Sequence, residues 1–451
     1  MAHSDLVLAP APERLFGHMN DLNRDMLQHL DDLAGHGDFV KARYSWLWIY
    51  YLNHPELIRD LLVKKGKSTQ KPFSQKRAFV SYASENILTS DGDFWKRQRK
   101  LMQPAFHSQR IGAYANDMVA LTRQAMADWD DTPIVDINAF MADLTMRIIV
   151  KTMFSTDVDE TFADVGETIT AIIENSAEDL VDMTIWLPNW IPTKRVRRNK
   201  ANAARLAPIY QRMIDAWCKE GVDRGDLLSM LMLARYDDGS AMSEAQIMSE
   251  LSVIFLAGHE TTAKTLTFAA IMLSQHPTVA EKLRAEVDHV LGNRPATLHD
   301  LEHLTYTKQI IKETMRLYPA ATAIGREVAA DMELGGETIK KGRHVIVNTW
   351  AVHRDERWYP EPLAFKPERW TPEFEAELPR YAYVPFGAGP RVCLGNQFSM
   401  MEAQLVLATI AQHYSLQLQP GTIIEPTYRL TLHPGPDTVP MQVNVREAVF
   451  A

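Results

Sequence analysis

From about Pro55 to Lys312, apolar residues recur three and four positions apart, the spacing of helices with one buried face. The segments Ala115–Trp129 and Ile134–Phe154 show it most clearly. Pro188 and Pro192 interrupt the pattern in "WLPNWIPTKRVRR" and predict a loop there. The longest run is "SEAQIMSELSVIFLAGHETTAKTLTFAAIMLSQHP", which opens with Ser243 and Gln246 in capping-box order and stops at Pro277. A helix of about 33 residues would run roughly 50 Å. Strand patterns are few. Trp46–Leu52 reads as a buried strand leading into a helix, and others cluster near the N-terminus, in Glu333–Trp350 and in "YRLTLHPGPDTVPMQVNV". The pattern predicts a mainly α protein with small β-sheets, not an alternating parallel α/β fold. No repeat or composition break divides the chain, so one domain over residues 1–451 is expected.

Composition changes this picture little. Hydrophobic residues make up 46% and charged residues 23%, as in an ordinary water-facing globular protein. The net charge of −9 gives no global support for a nucleic-acid partner. No apolar segment of the N-terminal region is long enough to span a bilayer, and no signal-peptide pattern is present, so no integral membrane segment is expected. Two cysteines, Cys218 and Cys393, exclude a disulfide framework and fit a cytoplasmic setting. Cys218 lies in a helical pattern and reads as a buried, inert thiol.

Cys393 has different surroundings. In "FGAGPRVCLG", Gly387, Gly389 and Gly395 permit tight turns and a close backbone approach to a flat ligand. A helical pattern begins just after the cysteine, so its thiol stands near a helix N-terminus, where negative charge is favoured. Arg391 adds a cation two residues away. Phe386, Gly389, Arg391, Cys393 and Gly395 match F-x-x-G-x-R-x-C-x-G, and on them the chain resembles the cytochrome P-450 family.

The middle of the long helix is also unusual. Gly258, His259, Glu260, Thr261 and Thr262 put a poor helix former and polar groups inside an apolar run. Gly258 lacks a side chain, so a planar cofactor could lie against the helix there. Read alone, the threonine could be satisfied by its own helix and the glutamate by a surface ion pair. The stretch is similar to the family's A-G-x-E-T-T, beginning at Ala257. The resemblance implies that Thr261 offers a hydroxyl at the oxygen-binding position and that Glu260 relays protons toward it.

Two further segments fit. "KQIIKETMRLYP" carries Glu313 and Arg316 three apart, similar to the family's E-x-x-R, and "FKPERW" supplies a second arginine, Arg369. The resemblance implies a buried ionic network of these three. In "DGDFWKRQRKLMQPAF", Asp91 is the expected N-cap, and Trp95 and Arg99 share one helix face. They resemble the W-x-x-x-R whose donors meet the two carboxylates of haem, as Arg391 would. Lys96, Arg97 and Lys100 point elsewhere, toward solvent or toward an acidic ferredoxin or flavodoxin.

The resemblance therefore implies haem b bound through Cys393, with Trp95, Arg99, Ala257, Phe386, Arg391 and Gly395 around it. It implies a haem-thiolate monooxygenase that inserts one atom of O2 into a hydrophobic small molecule. The family's fold is a helical prism with haem between the long helix and the cysteine helix. Phe255, Ala321, Thr322 and Ile324 are expected to line the substrate pocket. About 58 residues follow Cys393, too few for a fused reductase, so NAD(P)H-derived electrons are expected from a separate reductase. A peroxide-driven haem-thiolate enzyme would not need the Glu260–Thr261 pair, and a haem sensor would not need the basic helix face.

Overall fold

The computed structural model describes residues 5–11, 13–80, 85–155 and 183–446, with 168, 171, 172, 175 and 179. The chain forms two compact units, each discontinuous in sequence. The first contains residues 1–73, 312–393 and 426–433; the second contains 74–311, 394–425 and 434–451.

The first unit carries a mixed six-stranded sheet. Its order is Leu6–Leu8, Phe39–Tyr44, Leu47–Leu52, His344–Val347, Ile324–Val328 and Thr69–Gln70. Leu47–Leu52 pairs antiparallel with the strand before it, as a hairpin partner should, but parallel with His344–Val347, with Ile49 opposite His344. Branched and aromatic residues alternate along these strands. Phe39, Leu52, Val345 and Val347 of these strands are completely buried in one core with Ile58 and Leu61 of the helical segments that follow Leu47–Leu52. A smaller hairpin, Met332–Leu334 with Glu337–Ile339, turns on Gly335 and Gly336 at φ 59° and 84°. Both central residues of that turn need positive φ, which explains the glycine pair.

The second unit is built on the long helix, Glu244–Gln275, of 32 residues. Ser243 Oγ accepts the Gln246 N–H at 3.2 Å. The capping box is only half made, because the Gln246 side chain donates to the Glu85 carbonyl and to Glu250, each at 2.8 Å. The helix packs most extensively on Ile137–Phe154. The predicted helix Ile134–Phe154 loses its first turn to a sheet. Ile134–Asp136 joins Pro440–Val445 as a strand, and Asp136 then caps the helix by accepting from Asn138 N–H at 3.1 Å. The predicted helix Ala115–Trp129 ends at Ala125. Thus the mainly α fold with small sheets is the one observed, with sheet formation trimming helix ends that the periodicity could not distinguish.

Candidate active site

In the first unit the loop around Cys393 is closed by its own backbone. Cys393 N–H donates to the Phe386 carbonyl at 3.0 Å, and Val392 N–H donates to Gly389 at 3.1 Å. Gly387 and Gly389 both have φ of 70°. At Gly389 a side chain is also barred by space, since a Cβ would stand 2.2 Å from the Leu62 carbonyl oxygen. Cys393 is exposed, and its loop runs directly into the helix Asn396–His413, with Gly395 at the N-cap position. Arg391 is half-buried in the turn Gly389–Arg391.

Elsewhere in the same unit the chain builds a buried ionic centre on Glu313. Its Oε2 accepts Arg316 Nε, and its Oε1 accepts Arg316 Nη2 and Arg369 Nε, all at 2.9 Å. Trp370 Nε1 and the Lys366 backbone N–H add bonds of 2.9 and 3.0 Å. Glu313 and Arg316 have no exposed surface. A desolvated carboxylate survives there because every lone pair has a donor. His353 is buried beside Arg316 and accepts the Val384 N–H through Nε2 at 2.9 Å. Burial, with the Arg316 and Arg354 cations nearby, holds its pKa down at about 3. This keeps the ring neutral, the only form with an acceptor nitrogen.

Three of the expected pocket residues lie in this unit. Ala321 is exposed, and Ile324 is half-buried and reaches toward Gly387; the expectation for Thr322 is corrected, since it is fully buried with no surface for a substrate to touch. The fourth, Phe255, is corrected by the structure. It is fully buried in the second unit, stacked on Phe154 at 4.6 Å and next to Tyr210 at 5.7 Å, so it has no surface for a substrate to touch.

In the second unit the polar middle of the long helix is resolved side chain by side chain. Thr261 Oγ donates to the Ala257 carbonyl at 2.8 Å, and Ala257 is exposed although most of its helix is buried. Glu260 and Lys264 form a buried pair one turn apart at 3.6 Å, and Lys264 also donates to Asn138 at 2.8 Å. The reading of Gly258 is corrected too. A Cβ there would lie 2.1 Å from Ile149 Cδ1, so the glycine admits the neighbouring helix Ile137–Phe154. The exposed position beside it is Ala257.

The helix Gly92–Met102 carries Trp95 and Arg99, with the guanidinium 5.8 Å from the indole centroid. Asp91 occupies the N-cap position without capping, and instead pairs with Lys76 at 2.7 Å. The basic side chains of this helix have local partners: Lys96 with Asp93 at 2.8 Å, Lys100 with Asp237 at 2.7 Å, and Arg97 over Tyr236. Cys218, expected to be buried, is exposed.

Two buried acids escaped the sequence reading. Glu250 accepts Ile87 N–H at 3.0 Å and Gln246 at 2.8 Å, and burial raises its pKa to about 7. Glu402, on the cysteine helix, is fully buried beside Thr262. Burial pushes its pKa well above the carboxylate range. Both sit at positions where an amphipathic pattern reads as a surface acid, and only packing reveals them.

The donor set fits a haem. An exposed thiol precedes a helix, and a guanidinium stands in its loop. An arginine–tryptophan pair can meet carboxylates, and a bare alanine faces outward beside a threonine. Such residues on a mainly helical chain mark the class of haem-thiolate oxidoreductases. The profile of the family described as cytochrome P-450 matches residues 9–441, and the chain belongs to that family. It is 36% identical over 433 residues to cyclooctatin synthase of Streptomyces melanosporofaciens, covering 95% of this chain and 94% of the relative. It is 35% identical over 430 residues to cyclooctat-9-en-7-ol 5-monooxygenase of the same organism, covering 95% and 93%. To pentalenene oxygenase of Streptomyces avermitilis it is 30% identical over 428 residues, 94% of each. A crystal structure of a cytochrome P-450 shares the fold with a TM-score of 0.85, covering 98% of both chains at 22% identity. The protein is therefore an oxygen-incorporating oxidoreductase that works with haem b, O2 and NAD(P)H-derived electrons. Among the described residues no helix is long and apolar enough to cross a membrane.

Proposed function

We propose that this chain is a single-domain cytoplasmic monooxygenase that oxidises a cyclic terpenoid, with Cys393 as the iron ligand. The carrying observation is the Cys393 loop: one exposed thiol, fixed by its N–H to Phe386 and set before a helix. The relatives named for cyclooctat-9-en-7-ol and pentalenene support the substrate class. Haem, when bound, supplies the reductive activation of O2.

The chain's own residues supply the rest. The helix start and Arg391 favour the thiolate of Cys393. Trp95, Arg99 and Arg391 offer donors to the haem carboxylates. Thr261 holds its hydroxyl on the half-exposed face that includes Ala257. Glu260, paired with Lys264, is the acid next to Thr261 that would relay protons toward it. Ala321 and Ile324 present apolar surface suited to a hydrocarbon skeleton. A ferredoxin or flavodoxin would dock on Lys96, Arg97 and Lys100, exchanging Asp93 and Asp237 for its own acids.

The test combines two spectra. Reduced, CO-bound protein should show the red-shifted thiolate band, and Cys393→His should abolish it. A panel of cyclic terpenes should then be screened by binding-induced spin shift and turned over with a surrogate redox chain. A missing thiolate band sinks the iron-ligand assignment; a normal band with no terpene binding sinks only the substrate class.

A further inference from the structure

We propose that His18, Asp21 and His29 form a binding site for a divalent transition-metal ion, zinc being the simplest occupant, apart from the haem chemistry. One ligand-competent atom from each residue lies within 4.8 Å of the other two. His18 precedes the helix Met19–Arg24, Asp21 lies in its first turn, and His29 lies on the next helix, Met26–Gly35. The two imidazoles are buried, at 6% and 3% exposure. His18 Nδ1 is already 3.5 Å from Asp21 Oδ2. In a tetrahedral site with bonds of about 2.1 Å, ligand atoms stand about 3.4 Å apart, so this edge is formed and His29 has only to close in.

One observation separates this group from an ordinary hydrogen-bonded cluster. His29 is braced as metal-ligating histidines are. Its Nε2 meets Tyr44 Oη at 2.5 Å, and Tyr44 Oη meets Tyr51 Oη at 2.7 Å. That leaves Nδ1 for an ion, with the ring held from behind by a hydroxyl chain. Two imidazoles and one carboxylate suit zinc and its neighbours rather than calcium or magnesium. The competing cation is Arg24, 3.2 Å from Asp21 Oδ1, and it leaves Oδ2 available. A bound ion would fasten the two N-terminal helices to the strands Phe39–Tyr44 and Leu47–Leu52 through Tyr44 and Tyr51.

The experiment uses the full-length, untagged, haem-loaded protein. It is dialysed against chelator, then against limiting zinc, and zinc per haem iron is measured by mass spectrometry alongside the thermal midpoint. One zinc per chain is expected, with a midpoint that rises with zinc and falls back with chelator. Zinc-edge absorption should show nitrogen and oxygen neighbours at about 2.0–2.1 Å. Asp21→Asn and His18→Ala should each weaken zinc binding at least about tenfold while keeping the haem spectrum. Asp21→Asn is nearly isosteric, so it reports even if His18→Ala fails to fold. Zinc that is not retained by the wild type, or that both variants retain equally, overturns the site and leaves a hydrogen-bonded histidine cluster.

Discussion

At the scale of single residues, the Glu313 carboxylate shows how the same side chain can be both readable and hidden. Its pairing with Arg316, three residues away, follows from helix geometry. Its other donors arrive from Lys366, Arg369 and Trp370, more than fifty residues on, and no local pattern announces the indole. Removing the acid strands two buried guanidinium groups. Glu313→Ala should cost about 3–5 kcal/mol in urea unfolding and reduce haem incorporation. A loss below about 1 kcal/mol would place the network among solvated pairs. Thr261 makes a sharper test of chemistry. Thr261→Ala removes only a hydroxyl bonded within its own helix, so stability should barely change, while NADPH consumption separates from product. An unchanged product-to-NADPH ratio would count against its assigned role.

At the scale of elements, the long helix was legible in length and termini but not in what its glycine serves. Gly258 meets Ile149 of the neighbouring helix, and a methyl there would overlap Ile149 Cδ1 at 2.1 Å. Gly258→Ala forces that flexible carbon to move, a cost partly offset by the roughly 1 kcal/mol that alanine gains over glycine in a helix, so it should destabilise by at most about 1 kcal/mol. Ile149→Val deletes that one carbon, so the double variant should be more stable than the sum of the two single changes predicts. Strict additivity, measured by denaturant unfolding, would return the glycine to the cofactor role first expected of it. On the helix Gly92–Met102, charge reversal at Lys96 and Lys100 should lower reductase-coupled turnover without altering the haem spectrum. Because both lysines already pair with acids, the loss should shrink as salt rises.

At the scale of the whole molecule, buried titratable groups set the pH range of stability. His353 is neutral in the folded state down to about pH 3, against an ordinary value of 6.5. The unfolded chain binds its proton first, so stability is lost as pH falls through that window. Glu250 has the opposite sign. Its folded pKa of about 7 exceeds the ordinary 4.5, so its contribution is present at low pH and is lost as pH rises between them. The effects are on the order of 5 kcal/mol for His353 and 3 kcal/mol for Glu250. Urea midpoints from pH 4 to 8 should show the acid-side loss softened in His353→Gln, and the loss between pH 5 and 8 softened in Glu250→Gln. Parallel profiles for wild type and both variants would refute these assignments.

The chain by itself determined the helix-rich class, the long helix, the cysteine loop and the partners within reach of one helical turn. Those features rest on local spacing, glycine conformation and motif order, which are properties of short segments. Tertiary structure decided what long-range packing controls. It turned Ile134–Asp136 into a strand, buried Phe255 against Phe154 and gave Gly258 to a neighbouring helix. It also raised the pKa values of Glu250 and Glu402 through burial and drew His18, Asp21 and His29 together. Burial is a sum over the whole fold, and the way neighbouring helices turn against each other depends on it, so no pattern of local spacing contains either.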